Sequence, residues 1–142
     1  MPNKSGFTLI ELLIVMAIVA ILSMIAWPSY LNYVNKSKTA YGQQTIASAM
    51  NTLEQQFLDK RTYPATDAIS DGKNYFAYTY TQLGNPPGQT YSITAIGNGA
   101  LSQYFIAANS TETRCVCLNC ATNPFTAFND TTMNCPANST AW

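Results

Sequence analysis

From Phe7 to Asn35 the chain carries a single formal charge, Glu11, in an otherwise apolar or uncharged run. At a rise of roughly 1.5 Å per residue such a run makes a helix of about 40 Å, longer than the ~30 Å hydrocarbon core of a bilayer. Nothing else in the sequence restricts the fold as much, because an all-round apolar helix needs either lipid or other apolar helices around it. Glu11 is the anomaly, since an unpaired carboxylate in lipid costs several kcal/mol. Two readings are open. In one, Glu11 sits shallow at the cytoplasmic boundary, protonated or reaching for headgroups. In the other, a positive group from another copy of the chain neutralises it when copies pack together.

The run is longer than the apolar part of a secretory signal and begins with a glutamate, so it does not read as one. Lys4 ahead of it puts the N-terminus in the cytoplasm by the positive-inside tendency and the remainder in an exported, oxidising space. With 142 residues, the chain divides into a leader at 1–6, a membrane or core helix at 7–33 and one head at 34–142. Seven basic residues balance seven acidic ones, which implies no strong electrostatic partner. The absence of histidine removes the commonest general base and metal ligand, so the sequence reads as a non-enzyme that needs no cofactor.

Trp27, Tyr30 and Tyr33 are aromatics of the kind found where lipid meets water, and Pro28 between them is expected to kink the helix without ending it. Beyond it the pattern becomes amphipathic. Ile46, Met50, Leu53 and Phe57 recur at helical spacing, and Gly42 weakens the helix without forbidding it. Lys60 and Arg61 suit a helix C-terminus, and Tyr63-Pro64 closes the element. These features predict one helix from about Phe7 to Asp59, its first half protruding and its second half docked on a sheet.

Residues 65–73 read as a polar connector containing Asp67, Ser70, Asp71 and Gly72. Three aromatic or β-branched segments follow, at 75–80, 91–96 and 103–108, with a fourth short strand at 113–118. The expected class is therefore α+β, a long helix on an antiparallel meander of about four strands.

Cys115, Cys117, Cys120 and Cys135 fall in the last quarter of the chain. Their spacing is compatible with a tetrahedral zinc site, but an exported head favours two disulfides. If Cys115 and Cys117 share a strand they point to the same face and do not bond each other, which leaves Cys115 to Cys120 or Cys135. Asn109-Ser-Thr111, Asn129-Asp-Thr131 and Asn138-Ser-Thr140 match the N-glycosylation pattern, as expected by chance in so Asn- and Thr-rich a chain.

Gly6-Phe-Thr-Leu-Ile-Glu11, after a short leader with Lys4 and before an unbroken apolar helix, resembles the class III signal of type IV pilins and pseudopilins. The resemblance is specific from Lys4 to about Tyr33. It implies cleavage after Gly6 by a prepilin peptidase, N-methylation of Phe7, and a role for Glu11 in filament assembly by neutralising the N-terminal amine of a neighbouring subunit. It also implies a bend at Pro28 in the filament. The Cys120–Cys135 segment is similar to the cysteine-bounded C-terminal loop of these pilins, although most carry one bridge there.

The resemblance further implies a structural subunit of a type IV pilus. Its partners would be major and minor pilins, the inner-membrane assembly machinery and, before assembly, the membrane itself. Its location would be the bacterial inner membrane and then the extracellular pilus. Ala26-Trp-Pro-Ser-Tyr-Leu-Asn-Tyr33 is most similar to minor pilins of the PilE kind, which points to pilus assembly, twitching motility, adhesion or DNA uptake. Two alternatives stand beside this one. A DNA-receptor pilin for natural transformation would need a basic stripe with aromatics, for which the head offers Lys60, Arg61, Lys73 and Arg114, while Tyr78 and Tyr80 read as sheet core. A type II secretion pseudopilin shares the N-terminus but usually holds calcium and lacks disulfides.

Overall fold

The computed structural model describes residues 6–128 and 135–142. Lys4 and the Asn129-Asp-Thr131 match lie outside the described residues. One α-helix, α1, runs Leu9–Lys60, close to the expected bounds. Its start is set by Thr8, whose hydroxyl accepts the Glu11 N–H at 3.3 Å while the Glu11 carboxylate accepts the Thr8 N–H at 2.9 Å and its hydroxyl at 2.7 Å. This reciprocal pair is a capping box, which satisfies donors that the first helical turn leaves open. At the other end Arg61 adopts a left-handed conformation (φ 57°) and donates its N–H to the Phe57 carbonyl at 2.7 Å, a common helix stop. The helix continues through Pro28, whose ring offers no N–H to the Met24 carbonyl one turn back.

The chain forms two compact units, Met1–Ser37 and Lys38–Trp142. In the first, the large apolar side chains of Leu9, Leu13, Val19, Ile21 and Ile25 are exposed, as are Trp27, Tyr30 and Tyr33. Helix α1 is long and apolar enough there to cross a membrane.

The second unit is a five-stranded antiparallel sheet in the order β1-β2-β3-β4-β5 with the amphipathic part of α1 on one face. The strands are β1 Phe76–Leu83, β2 Thr90–Gly97, β3 Phe105–Asn109, β4 Arg114–Cys117 and β5 Thr140–Ala141. About four strands were expected; the fifth is a two-residue edge, pairing Ala141 with Cys115 and Thr140 with Val116. Ile46, Met50 and Leu53 of the helix are buried against Tyr91, Ile93 and Ile106 of the sheet. Gly42 is there for space. A methyl group on it would lie 2.8 Å from Ile106 Cδ1 and 2.9 Å from the Phe76 ring, both buried.

Strand β3 is buried on both faces, because alternate residues serve two cores. Ile106 and Ala108 face the helix, whereas Phe105 and Ala107 join Cys115, Cys117, Phe125 and Phe128 under the C-terminal loop. Between β2 and β3 a 3₁₀ turn at Gly99–Leu101 folds back onto Gly97, where any Cβ would strike the Leu101 carbonyl.

Candidate functional site

The residues singled out at the N-terminus lie in one exposed stretch. Gly6 and Phe7 precede the helix and are exposed, Phe7 at 90%. Glu11 is exposed and engaged with Thr8, two residues into the helix. The Thr8-x-x-Glu11 pattern was legible in the sequence as a capping box, and it adds a local role for Glu11 beside any between subunits.

The second unit holds a cation–aromatic cluster that sequence reasoning missed in part, because Lys38 was left out of the head's cations. The Tyr41 and Tyr75 rings meet edge to face at 6.1 Å. Lys73 Nζ lies 4.8 Å from the Tyr41 ring centre and 6.0 Å from that of Tyr75, and Lys38 Nζ lies 5.4 Å from Tyr75. The element that fixes this arrangement is Asp71. Its buried carboxylate accepts the N–H groups of Lys73 (2.9 Å), Tyr75 (3.1 Å) and Phe76 (3.2 Å), together with the Tyr78 hydroxyl (3.4 Å). The Asp71 carbonyl accepts the Tyr41 hydroxyl at 3.1 Å. Lys73 is exposed and Lys38 partly exposed, while the Asp71 charge is engaged by internal donors.

Tyr78 and Tyr80 pack against the sheet core, as their strand position suggested. Burial pushes the Tyr78 hydroxyl up to about 12, opposed by a hydrogen bond with Thr45 and reinforced by the Asp71 charge. Tyr80 is likewise pushed up to about 12, by burial and then by Asp67. Tyr63 and Tyr91 are raised further, by burial first and by Glu54, whose Oε1 accepts the Tyr63 hydroxyl at 2.9 Å. None of these tyrosines is an acid or base at neutral pH.

Of the two partners left open for Cys115, the structure selects Cys135, with Cα atoms 5.4 Å apart. Cys117 is set beside Cys120, Cα atoms 6.0 Å apart. Among the described residues no cluster of three metal-ligating side chains is present.

A family model described as the prokaryotic N-terminal methylation motif matches residues 1–27. A second, described as type IV minor pilin ComP, DNA uptake sequence receptor, matches residues 28–122. The chain belongs to the type IV minor pilin family. This pilin is 33% identical over 102 residues to fimbrial protein Q of Moraxella bovis, covering 72% of this chain and 64% of that one. It is 32% identical to the type IV major alpha-pilin of the same organism, covering 61% and 55%, and 38% identical to prepilin peptidase-dependent protein D of Escherichia coli, covering 51% and 49%. The pilin thus spans less than two thirds of the length of each of these relatives. A solved type IV pilin from Shewanella oneidensis overlaps 51% of this chain and 81% of its own at 19% identity, with a TM-score of 0.46.

Proposed function

We propose that this pilin is a minor subunit of type IV pili, cleaved between Gly6 and Phe7 and methylated at Phe7. The apolar part of α1 anchors it in the bacterial inner membrane and later packs among the helices of other pilins, with a bend available at Pro28. Glu11 leaves its cap at Thr8 to offset the Phe7 ammonium of a neighbouring subunit, since both charges are costly when buried alone. The observation that carries this reading is the junction itself: exposed Gly6 and Phe7 directly before a capped helix whose apolar first half is exposed.

The test is the intact mass of the protein from sheared surface fibres and from membranes of its host. A mass lacking Met1 to Gly6 and raised by one methyl group, found in the fibres, is expected. An uncut chain confined to membranes refutes the reading.

A second reading is that the head contributes to DNA capture during uptake. It is supported by the description of the family that matches residues 28–122 and by the Lys38–Tyr41–Lys73–Tyr75 cluster, whose ammonium groups suit phosphates. Binding of duplex DNA by the pilin in detergent micelles, measured against salt concentration, tests it. Lys38→Ala and Lys73→Ala should each reduce the slope of log affinity on log salt by about 0.9. Unchanged slopes in both variants refute a phosphate role for the cluster.

A further inference from the structure

Asparagine is chemically labile where the backbone nitrogen of the next residue can attack its side-chain amide, and Gly, with no Cβ in the way, hinders that attack least. The chain has one such step, Asn98-Gly99, at the start of the 3₁₀ turn between β2 and β3. The attacking nitrogen gives up its proton in the reaction, so an N–H already held in a hydrogen bond is a poor nucleophile. That requirement separates the asparagines of this fold.

Within α1 the N–H that follows an asparagine is held in the helical ladder. Asn85 and Asn123 precede prolines, which have no N–H. After Asn74, Asn109, Asn119 and Asn138 the next N–H is bonded. Tyr75 donates to Asp71 Oδ2 at 3.1 Å, Ser110 to the Tyr91 carbonyl at 3.1 Å, Cys120 to the Gln103 carbonyl at 2.9 Å and Ser139 to the Pro136 carbonyl at 3.1 Å. Asn98 stands apart among the described residues. The Gly99 N–H has no acceptor, and both residues are exposed. Gly99 is left-handed (φ 57°), with no atom beyond its chain neighbours within 4 Å of where a Cβ would stand. The Asn98 side chain makes no cap to the turn, and its Nδ2 donates instead to the Asn74 carbonyl at 3.0 Å.

We propose that Asn98 is a deamidation site, which converts this turn irreversibly from neutral to anionic. The Gly99 nitrogen bonds to Asn98 Cγ and loses its proton to solvent. The Cγ–Nδ2 bond breaks, Nδ2 takes a proton and leaves as ammonia, and a five-membered succinimide is closed. Water then opens the ring. Addition at Cγ gives aspartate, and addition at the backbone carbonyl carbon gives isoaspartate, whose main chain runs through the former side chain. Either product sets a carboxylate where an amide donated to the Asn74 carbonyl, next in sequence to Lys73. Isoaspartate also removes the backbone carbonyl that accepts the Leu101 N–H at 3.1 Å, a bond of the 3₁₀ turn. A chain with seven acidic and seven basic residues thereby gains one negative charge.

The test is incubation of the full-length chain in detergent micelles at mildly alkaline pH, beside the same chain unfolded in guanidinium chloride, until the unfolded control has converted at Asn98. Both are digested and mapped by mass spectrometry, with electron-transfer fragmentation to separate isoaspartate from aspartate. In the folded chain the Asn98 peptide is expected to gain one mass unit before any peptide containing Asn74, Asn109, Asn119 or Asn138. Isoaspartate should be among the products, and the gain should slow at mildly acidic pH, where the attacking nitrogen keeps its proton. Asn98 left unchanged in the folded chain once the unfolded control has converted, or another of these asparagines converting first, overturns the proposal. Asn98→Gln keeps an amide but needs a six-membered ring, so the gain at this peptide should disappear. A gain that persists in that variant lies at another residue and overturns the assignment as well.

Discussion

Asp71 offers the sharpest test of how the head is held together, because its two carboxylate oxygens are used unequally. Oδ1 accepts only the Lys73 N–H, at a residue exposed to water, while Oδ2 accepts the Tyr75 and Phe76 N–H groups and the Tyr78 hydroxyl. Replacing Asp71 with Ala removes all four. The Lys73 N–H turns to solvent at little cost. The Phe76 N–H, in a residue 4% exposed, and the half-buried Tyr78 hydroxyl lose an ionised acceptor, and the Tyr78 hydroxyl is left with Thr45 alone. At about 1–3 kcal/mol for each buried donor left unpaired, Asp71→Ala should destabilise the head by about 2–4 kcal/mol. Asp71→Asn keeps one carbonyl oxygen, which can occupy the Oδ2 position and serve the three inner donors without charge, so about 1–2 kcal/mol is expected. Urea denaturation of the full chain in micelles, followed by near-ultraviolet circular dichroism of the head tyrosines, reads both. If Asp71→Ala falls within 0.5 kcal/mol of the parent, or if Asn costs as much as Ala, the division of labour between the oxygens is wrong.

Gly97→Ala should lower stability by about 2 kcal/mol or more, since its Cβ meets the Leu101 carbonyl, a backbone atom that moves only with the 3₁₀ turn; an unchanged urea midpoint would show that the turn relaxes freely. Alkaline pH should unfold the head. Tyr78 and Tyr80 are raised to about 12 in the folded state against ~10 in the unfolded chain, so their stabilisation is complete below pH ~10 and is lost as pH rises toward 12. Tyr78→Phe with Tyr80→Phe should shallow the decline between those values, and an identical pH profile would remove these two hydroxyls from the account.

Much of this arrangement could be read from residue order, and the exceptions share a cause. The long helix, its inward Ile46, Met50 and Leu53, and four of the strands followed from periodicity, because each element carries its own pattern of apolar residues. The fifth strand did not. Thr140 and Ala141 have no strand pattern of their own and are placed by neighbours: Cys135 tied to Cys115, and the Trp142 N–H bonded to the Arg114 carbonyl at 3.2 Å. Gly42 read as a local weakness of the helix, and its purpose is visible only where Phe76 and Ile106 crowd it. Asp71 looked like any polar loop residue because its partners include a strand that begins five positions later. Lys38 joined Lys73 only through the fold. The Thr8–Glu11 cap, in contrast, was available from spacing alone and was overshadowed by the question of the glutamate's charge.

The order of the strands across the sheet is the order in which they occur in the chain. Every strand therefore pairs with the one made immediately before it, and no connection has to cross the sheet. The sheet can accordingly be zipped up in chain order, each hairpin closing over a loop of modest length as soon as its second arm is available. Only the closure of Thr140–Ala141 onto β4 spans a longer connection, from Cys117 to Thr140.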